Sequence, residues 1–343
     1  MRKLLNTLYI TTPKSYLSLD GENIVVHLEE EEKFRMPFVN LEAIVCFGYM
    51  GASPALMGKC ADENISLNFL SPNGEFLARI TGKTRGNVML RKKQYLTSEN
   101  DEFSLNLSKE IVAAKLFNSR KLLERFIREN KDNCDTNEIA GVSKQLKENI
   151  EIVYKQPDKD ALRGLEGASA KLYFSVFDQM ILKQRKEFSF SNRSKRPPLD
   201  NVNCMLSYLY TILALDIASA LETVGIDPYI GFLHEIRIGR ASLALDLLEE
   251  LRAYLVDRCV LSMINLNQVN GKDFFKKEGG GILMTDEGRK KLLTCWQERK
   301  REIIKHTVIE EKIEIGLLPY VQAQLLARYL RGDLEEYPVF LSR

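Results

Sequence analysis

The sequence predicts an α+β protein of two domains, a small N-terminal β-rich domain followed by a larger all-α domain. The length of 343 residues is enough for two domains at roughly 100–200 residues each. Up to residue 85 the sequence consists of short runs of β-branched and aromatic residues separated by turn signals. Beyond residue 95, apolar residues recur with the helical period of about 3.6.

The β-rich domain is predicted to be a meander. Asp20-Gly21 marks a tight turn between two strands, and a short helix is expected at residues 54–61. The acidic run at residues 29–32 is predicted to be a solvated loop. The strands are predicted at residues 4–11, 16–19, 24–28, 43–47, 65–70 and 75–80.

A basic segment follows the last predicted strand. Residues 79–93 contain six basic residues and no acidic one. We therefore predict a basic hinge at residues 86–95, between a β-rich domain at 1–85 and a helical domain at 96–343. The long helices of the second domain are predicted at residues 107–129, 160–186, 203–224, 243–261 and 287–306.

The composition limits the class of protein and its partners. A net charge of +2, from 49 basic and 47 acidic residues, means that a DNA-binding surface must arise from local clusters. No apolar run is long enough to span a membrane and no signal peptide is present, so we predict a cytoplasmic protein without a membrane partner. The six cysteines are scattered without a CxxC pair, which predicts reduced thiols and excludes a sulfur-ligated zinc site.

A histidine and three acids lie close together in the second domain. His234 comes just before a predicted helix whose N-cap is Ser242. Asp246, Glu249 and Glu250 follow at spacings of three and four, which places them on one side of that helix. Like charges so placed repel, and a cation between them would make the arrangement favourable. Alternatively, the acids favour the helix macrodipole and face water.

A fourth acid, Glu166, lies inside the predicted helix 160–186 among small residues. Small neighbours allow another helix to approach closely, although each Gly costs a helix about 0.8–1.0 kcal/mol relative to Ala. Glu166, His234 and a helix carboxylate would offer the oxygen and nitrogen ligands that suit Mn²⁺ or Mg²⁺. Alternatively, the small residues serve packing alone and Glu166 is solvated. These neighbours are Gly164, Gly167, Ala168 and Ala170.

A basic loop at residues 190–198 joins two predicted helices. Residues 171–196 carry a local net charge of +5. Such clusters neutralise DNA phosphates and release counterions, although a solvated loop is equally compatible with the pattern. The predicted DNA contacts are Arg193, Lys195, Arg196 and, beyond the loop, Arg240. His27 and His306 are expected to lie on the surface.

These elements, taken together and in order, resemble the CRISPR-associated spacer-acquisition integrases, the first-numbered Cas proteins, in a type I-C-like form. The resemblance extends over nearly the whole chain. Its main motifs are Leu165-Glu166-Gly167, Gly231-Phe232-Leu233-His234, Gly239-Arg240, the run Leu-Ala-Leu-Asp-Leu-Leu-Glu-Glu-Leu-Arg at 243–252, and Gln-Leu-Leu-Ala-Arg-Tyr-Leu at 324–330.

The resemblance implies that Glu166, His234 and Glu249 are the metal ligands, with Asp246 a further catalytic acid beside them. It implies a DNA endonuclease and integrase that uses Mg²⁺ or Mn²⁺ to join the 3′-hydroxyl ends of short DNA fragments to a repeat array by transesterification. Its substrate would be double-stranded DNA.

The resemblance also implies an assembly: a homodimer, with dimerisation assigned to the β-rich domain, and a complex with the small second-numbered Cas protein. Two other functions stay open from the sequence alone. One is a non-catalytic DNA-binding scaffold, and the other is a metal-dependent nuclease that acts only by hydrolysis.

Overall fold

The computed structural model describes residues 6–48, 50–72, 74–82, 88–132 and 134–342. Within these ranges, the N-terminal region contains two four-stranded sheets and one helix. Its elements are β1 (Asn6–Ile10), β2 (Ser15–Asp20), β3 (Asn23–Leu28), β4 (Glu31–Pro37), β5 (Leu41–Phe47), β6 (Gly51–Ala52), α1 (Pro54–Glu63), β7 (Ser66–Leu70) and β8 (Phe76–Ile80).

The prediction of a simple meander is correct only for β2, β3 and β4, which are antiparallel neighbours. The other sheet has the order β1-β5-β7-β8, and its first three strands run parallel. Parallel strands need crossover connections, and here β2–β4 and α1 lie in those connections. The predicted acidic loop is also shorter than expected, because Glu31 and Glu32 begin β4.

The C-terminal region is mostly helical, as predicted, but it is not all-α. Two hairpins of three-residue strands interrupt it, and strands this short show no detectable alternation in the sequence. Its elements are α2 (Val88–Ser98), α3 (Asp101–Asn130), α4 (Asn137–Val153), α5 (Lys159–Ser175), α6 (Asn201–Thr223), α7 (Ser242–Arg252), α8 (Arg258–Asn265), β9 (Phe274–Lys276), β10 (Ile282–Met284), α9 (Asp286–Arg301), β11 (Ile303–Lys305), β12 (Lys312–Glu314) and α10 (Leu318–Arg331).

Two predicted helices differ from the observed ones. The helix predicted at 160–186 ends at Ser175 and is followed by a single 3₁₀ turn, Phe177–Met180. The helix predicted at 243–261 is interrupted by a π-helical turn, Ala253–Asp257, between α7 and α8. Ser242 is the first residue of α7 rather than its N-cap, and its hydroxyl donates to the carbonyl of Glu235 at 2.9 Å.

Part of the segment predicted as a hinge is a helix that is anchored through buried Leu90 and Gln94. Residues 88–95 lie in α2, while residues 86 and 87 lie outside the described residues. Gln94 is fully buried and its side-chain amide donates to the carbonyls of Asp227 and Ile230 at 2.8 and 2.9 Å. Its carbonyl oxygen accepts from the backbone N–H of Asp227 at 2.9 Å.

Helix α6 runs through the middle of the helical core. It is long and apolar enough to cross a membrane by length and composition, and 61% of its apolar window is buried inside the protein. Core helices of globular proteins share this property. Strands β5 and β7 reach the same core, because Phe47 stacks on Tyr208 of α6 with ring centroids 5.3 Å apart. A second, smaller core lies between the N-terminal sheets and α1.

The structure settles the positions of the remaining histidines. His27 is partly exposed on β3, whereas His306 is fully buried, so the surface prediction for His306 is wrong. Its Nε2 lies 3.2 Å from the side-chain oxygen of Gln322 on α10. All six cysteines are free thiols, as predicted, and Cys46, Cys60, Cys204 and Cys259 are buried.

Candidate active site

His234 is fixed by Asp246 of α7. The carboxylate of Asp246 accepts the backbone N–H groups of Phe232, Leu233 and His234 at 2.7, 3.1 and 2.9 Å. It also lies 2.7 Å from Nδ1 of the His234 ring. Because an ionised carboxylate only accepts hydrogen bonds, Nδ1 carries the proton and the lone pair of neutral His234 is on Nε2.

The loop that carries His234 lies directly against α7. A Cβ atom on Gly231 would lie 2.8 Å from Cβ of Ser242 and 2.9 Å from Oδ2 of Asp246. Only glycine fits this close approach. The loop is therefore held by backbone contact with α7 as well as by the Asp246 carboxylate.

Glu166 of α5 and Glu249 of α7 meet at the ammonium group of Lys115 on α3. Nζ of Lys115 forms an ion pair with Oε1 of Glu166 and lies 2.6 Å from Oε2 of Glu249. The three side chains are largely buried, with 6%, 24% and 11% of Lys115, Glu166 and Glu249 exposed. Two of the three predicted ligands therefore lie on either side of one cation.

Glu249 has a second cationic partner. Nη1 of Arg252 lies 3.1 Å from its Oε2. Burial alone would raise the pKa of Glu249, but Lys115, Arg252 and the nearby His234 hold it below its usual range. Glu249 is therefore an anion at neutral pH.

A buried network lies behind these carboxylates. The guanidinium of Arg252 stacks on the Tyr210 ring at 4.4 Å, and Asp257 accepts from the hydroxyls of Tyr210 and, at 2.9 Å, Tyr173. A π-helical turn bonds residues five apart. Arg252 and Asp257 are five apart, so this turn brings both side chains to one face of the chain.

Asp246, Glu249 and Glu250 lie on one side of α7, as their spacing predicts, but all three are buried rather than facing water, and each has its own partners. Asp246 faces the His234 loop, Glu249 faces Lys115, and Glu250 is fully buried toward the C-terminal segment. The carboxylate of Glu250 accepts from the Tyr337 hydroxyl at 2.6 Å and the Phe340 backbone N–H at 2.7 Å. Burial raises the pKa of Glu250 to about 7.

The donor set fits a hard divalent cation. Glu166 and Glu249 offer carboxylate oxygens on either side of the Lys115 ammonium, and His234 offers Nε2 in a fixed orientation. Oxygen and nitrogen donors of this kind suit Mn²⁺ or Mg²⁺. Among the described residues, no three His, Cys, Asp or Glu side chains already converge as a metal cluster. Lys115 stands between the two carboxylates instead.

The predicted DNA contacts fall into two groups. Lys195 and Arg196 are exposed, and Arg240 is half-buried in the loop after His234. Arg193 is turned inward: its guanidinium donates to Asn203 at 2.6 Å and to a hydroxyl on α6 at 3.0 Å. Arg193 therefore supports the basic loop from beneath rather than facing solvent.

The two glycines closest to Glu166 in the sequence do not serve helix packing. A Cβ atom on Gly164 or Gly167 would meet nothing within 4 Å, and both glycines are exposed. The sequence reasoning missed Lys115, Arg252 and Asp257; a lysine within the apolar run Ile-Val-Ala-Ala-Lys-Leu-Phe, residues 111–117, was the available signal.

Comparisons with known proteins identify the family of the chain. The family model described as "CRISPR associated protein Cas1" matches residues 8–298. A CRISPR-associated endonuclease Cas1 of Chlorobaculum tepidum is 45% identical over 343 residues, all of both chains. One from Rhodospirillum rubrum is 46% identical over 342 residues, covering 98% of each chain.

Solved structures share the fold. A casposase bound to its integration product aligns with a TM-score of 0.84 and 22% identity, covering 97% of this chain and 92% of that one. A Cas1 protein from Thermotoga maritima aligns at 0.81 and 22%, covering 96% and 97%. A Cas6-RT-Cas1–Cas2 complex aligns at 0.82 and 21%, covering 99% of this chain and 36% of that one.

The fold and the sequence similarities define the chain as a CRISPR-associated protein with an N-terminal β-rich region and a helical region that carries the carboxylate–histidine site. Within that class, it belongs to the Cas1 family.

Proposed function

We propose that this protein is a metal-dependent DNA endonuclease and integrase of CRISPR adaptation, in a type I-C-like form. The observation that carries the proposal is the convergence of Glu166 and Glu249 on one cation, beside a His234 whose tautomer is fixed by Asp246. The curated relatives are named endonucleases, and a structural neighbour is named as bound to an integration product.

In this proposal Glu166, Glu249 and Nε2 of His234 hold Mg²⁺ or Mn²⁺. When bound, the ion polarises a phosphoryl oxygen of DNA and stabilises the charge that develops during displacement. Asp246 keeps the His234 lone pair oriented toward the site. Arg252 keeps Glu249 in position through an ion pair with Oε2, the oxygen that Lys115 also contacts.

The surrounding surface suits a DNA backbone. Lys195 lies near enough to Glu249 and Arg252 for their charges to affect its pKa, which the partial desolvation of its ammonium and the neighbouring cations lower. Lys195, Arg196 and Arg240 would contact phosphates without reading the bases.

The reaction proposed is transesterification: the 3′-hydroxyl of a DNA fragment attacks a phosphodiester of the repeat array and displaces the 3′-oxygen of the existing strand. With water as the attacking group, the same residues would support hydrolysis. We further propose a cytoplasmic homodimer that joins through its β-rich region and binds a Cas2-type partner. One structural neighbour is a Cas6-RT-Cas1–Cas2 complex, which supports the Cas2-type partner.

Strand transfer tests the proposal. Purified protein with its Cas2-type partner is given a short duplex bearing free 3′-hydroxyls, supercoiled DNA carrying a repeat, and Mn²⁺ or EDTA. We expect joined product with Mn²⁺ and none with EDTA. Glu166→Gln should form no joined product, whereas the control Glu148→Gln, at an exposed position of α4, should still form it. Cleavage without joining would indicate a hydrolytic nuclease. DNA binding that survives EDTA, with neither reaction, would indicate a scaffold.

A further inference from the structure

Lys115 is a buried lysine in the middle of α3, with 5% of its surface exposed. Lysine is almost never so buried unless its charge is paired, because removing an ammonium from water is costly. Here both partners are carboxylates that we assign to a metal site, Glu166 and Glu249. This placement requires an explanation beyond the packing of α3.

We propose that Lys115 is a built-in counter-ion, which holds Glu166 and Glu249 together in the metal-free protein and competes with the divalent cation for them. This inference rests on the proposed function and adds a regulation of the same site. It makes Lys115 a positioning residue whose ammonium must leave the carboxylates for the metal to bind.

The geometry supports an exchange of cations. The two glutamates come from different helices, α5 and α7, and among the described residues Lys115 forms ion pairs with both. Two carboxylates that both reach one ammonium group would repel each other in a partly desolvated site if that cation were absent. Lys115 therefore keeps the helices in their metal-ready arrangement when no metal is bound.

The charges show why Lys115 must then move. Lys115 and Arg252 already neutralise Glu166 and Glu249. A divalent cation placed between the same oxygens would lie against an ammonium, which opposes its binding. Arg252 pairs with the same Oε2 of Glu249 as Lys115, but it can stay, because its guanidinium is held in place by its stack on Tyr210.

The released ammonium would have a partner only when DNA is present. Lys115, Arg193 and Arg252 all lie close enough to Lys195 for their charges to lower its pKa, so a released Lys115 ammonium would enter a positively charged surrounding. A DNA phosphate relieves that repulsion. Metal and DNA would therefore bind cooperatively, since each favours the state in which Lys115 has left the carboxylates.

Binding of Mn²⁺ to the full-length protein, measured by titration calorimetry without DNA, tests the inference. We expect Lys115→Gln to bind Mn²⁺ at least about tenfold more tightly than wild type. This is the order of the effect expected when the repulsion between the Lys115 ammonium and the metal ion is removed from a partly buried site. The same variant should melt at a lower temperature in EDTA, because its two carboxylates lack their counter-ion. It should also gain more thermal stability from Mn²⁺.

Two further variants keep the test decisive. Lys115→Arg retains the charge and adds a second donor pair, so we expect weaker Mn²⁺ binding than in wild type. Lys121→Gln, on the same helix and paired with Glu124, should change neither quantity. If Lys115→Gln does not fold, the reduced affinity expected for Lys115→Arg decides the question.

Folded Lys115→Gln with unchanged or weaker Mn²⁺ affinity would overturn the inference, as would unchanged affinity in Lys115→Arg. These failures are distinct from failure of the proposed function. Wild type that binds Mn²⁺ but joins and cleaves no DNA would refute the function alone, whereas wild type that binds no Mn²⁺ would refute both.

Discussion

At the scale of single residues, Asp246 is the side chain with the most separate contacts in the site. It fixes three backbone N–H groups and the His234 ring, yet in our assignment it is not itself a ligand. Partners of this kind orient a ligating histidine and set its tautomer. The catalytic role predicted for Asp246 from the sequence therefore becomes a positioning role in the proposed mechanism.

Asp246→Asn tests that role. Both oxygens of Asp246 accept hydrogen bonds, and the amide of asparagine would replace one of them with an NH₂ group, which is a donor. The variant therefore cannot accept both from the loop backbone and from Nδ1 of His234. We expect Mn²⁺ affinity to fall by roughly 10- to 100-fold, measured by titration calorimetry. Asp160→Asn at an exposed position of α5 is the control. Unaltered affinity in Asp246→Asn would show that His234 is oriented without this carboxylate.

Glu250 gives the protein a pH-dependent stability. Burial raises its pKa to about 7 in the folded state, against 4.5 for an unperturbed glutamate. Between these values the folded state binds more protons than the unfolded one, so the free energy of unfolding falls as pH rises from about 5 to about 7 and then levels off.

Glu250→Gln should remove this contribution. We expect the stability of the variant relative to wild type to increase between pH 5 and pH 7 by up to roughly 3 kcal/mol, from about 1.4 kcal/mol for each unit of pKa, and to stay constant above that. Urea unfolding at each pH measures it. Taking the difference between the two proteins cancels the opposite trend of His306, whose pKa burial lowers. A pH-independent difference would contradict the assignment.

At the scale of elements, the π-helical turn Ala253–Asp257 sets the back wall of the site. It places Asp257 against Tyr173, Tyr210 and the cation of Arg252. Without this turn, residues 252 and 257 would point in different directions, since an α-helix rotates by about 100° per residue. The orientation of Arg252, and through it of Glu249, depends on the turn.

Asp257→Ala should therefore lower the free energy of unfolding, because Asp257 is part of the buried network and not a metal ligand. It leaves two buried hydroxyls without an acceptor and Arg252 with one fewer counter-charge. We expect a loss of roughly 3–5 kcal/mol in the free energy of unfolding, measured by denaturant titration. Asp132→Ala, at an exposed position after α3, should stay within about 0.5 kcal/mol of wild type. A loss below about 1 kcal/mol for Asp257→Ala would mean that the network is loosely packed.

Sequence periodicity located the long amphipathic helices well and the irregular elements poorly. α6 begins and ends within two residues of its prediction, because its apolar pattern and Asp200 cap are both clear. The prediction through residue 186 failed because Phe177 and Met180 continue an apolar pattern on a 3₁₀ turn. Helices α4 and α10 were not predicted at all, although both are strongly amphipathic.

The site was predictable in its acids and histidine but not in its cations. Glu166 stood out because it lies among small residues within a predicted helix. His234 and Glu249 stood out because one of only three histidines comes just before a helix with three closely spaced acids. Lys115 is a common residue type within an ordinary helix, and only its long-range contacts distinguish it. Arg252 lies three residues after Glu249, a spacing so common on helices that it marks no site. Contacts across 51 or more residues leave no local pattern in a sequence.

At the scale of the whole molecule, the near-zero net charge makes DNA binding depend on a few exposed cations. We expect Lys195→Ala with Arg196→Ala to reduce the slope of log affinity against log salt by about 2, close to one unit for each lost phosphate contact. Filter binding of a duplex at several salt concentrations measures it. Lys33→Ala on β4 should leave the slope unaltered, and an unaltered slope in the double variant would exclude both residues from the interface.

The N-terminal sheets and the helical region are joined by a common core and by polar contacts. Phe47 stacks on Tyr208, Arg79 pairs with Glu222, and Arg289 of α9 donates to the carbonyl of Pro72 at 2.7 Å. In calorimetric terms, such an interface merges two regions into one cooperative unit. Heat should unfold the monomer in a single peak whose calorimetric and van't Hoff enthalpies agree. A separately expressed helical region would expose an apolar surface that the intact chain keeps covered.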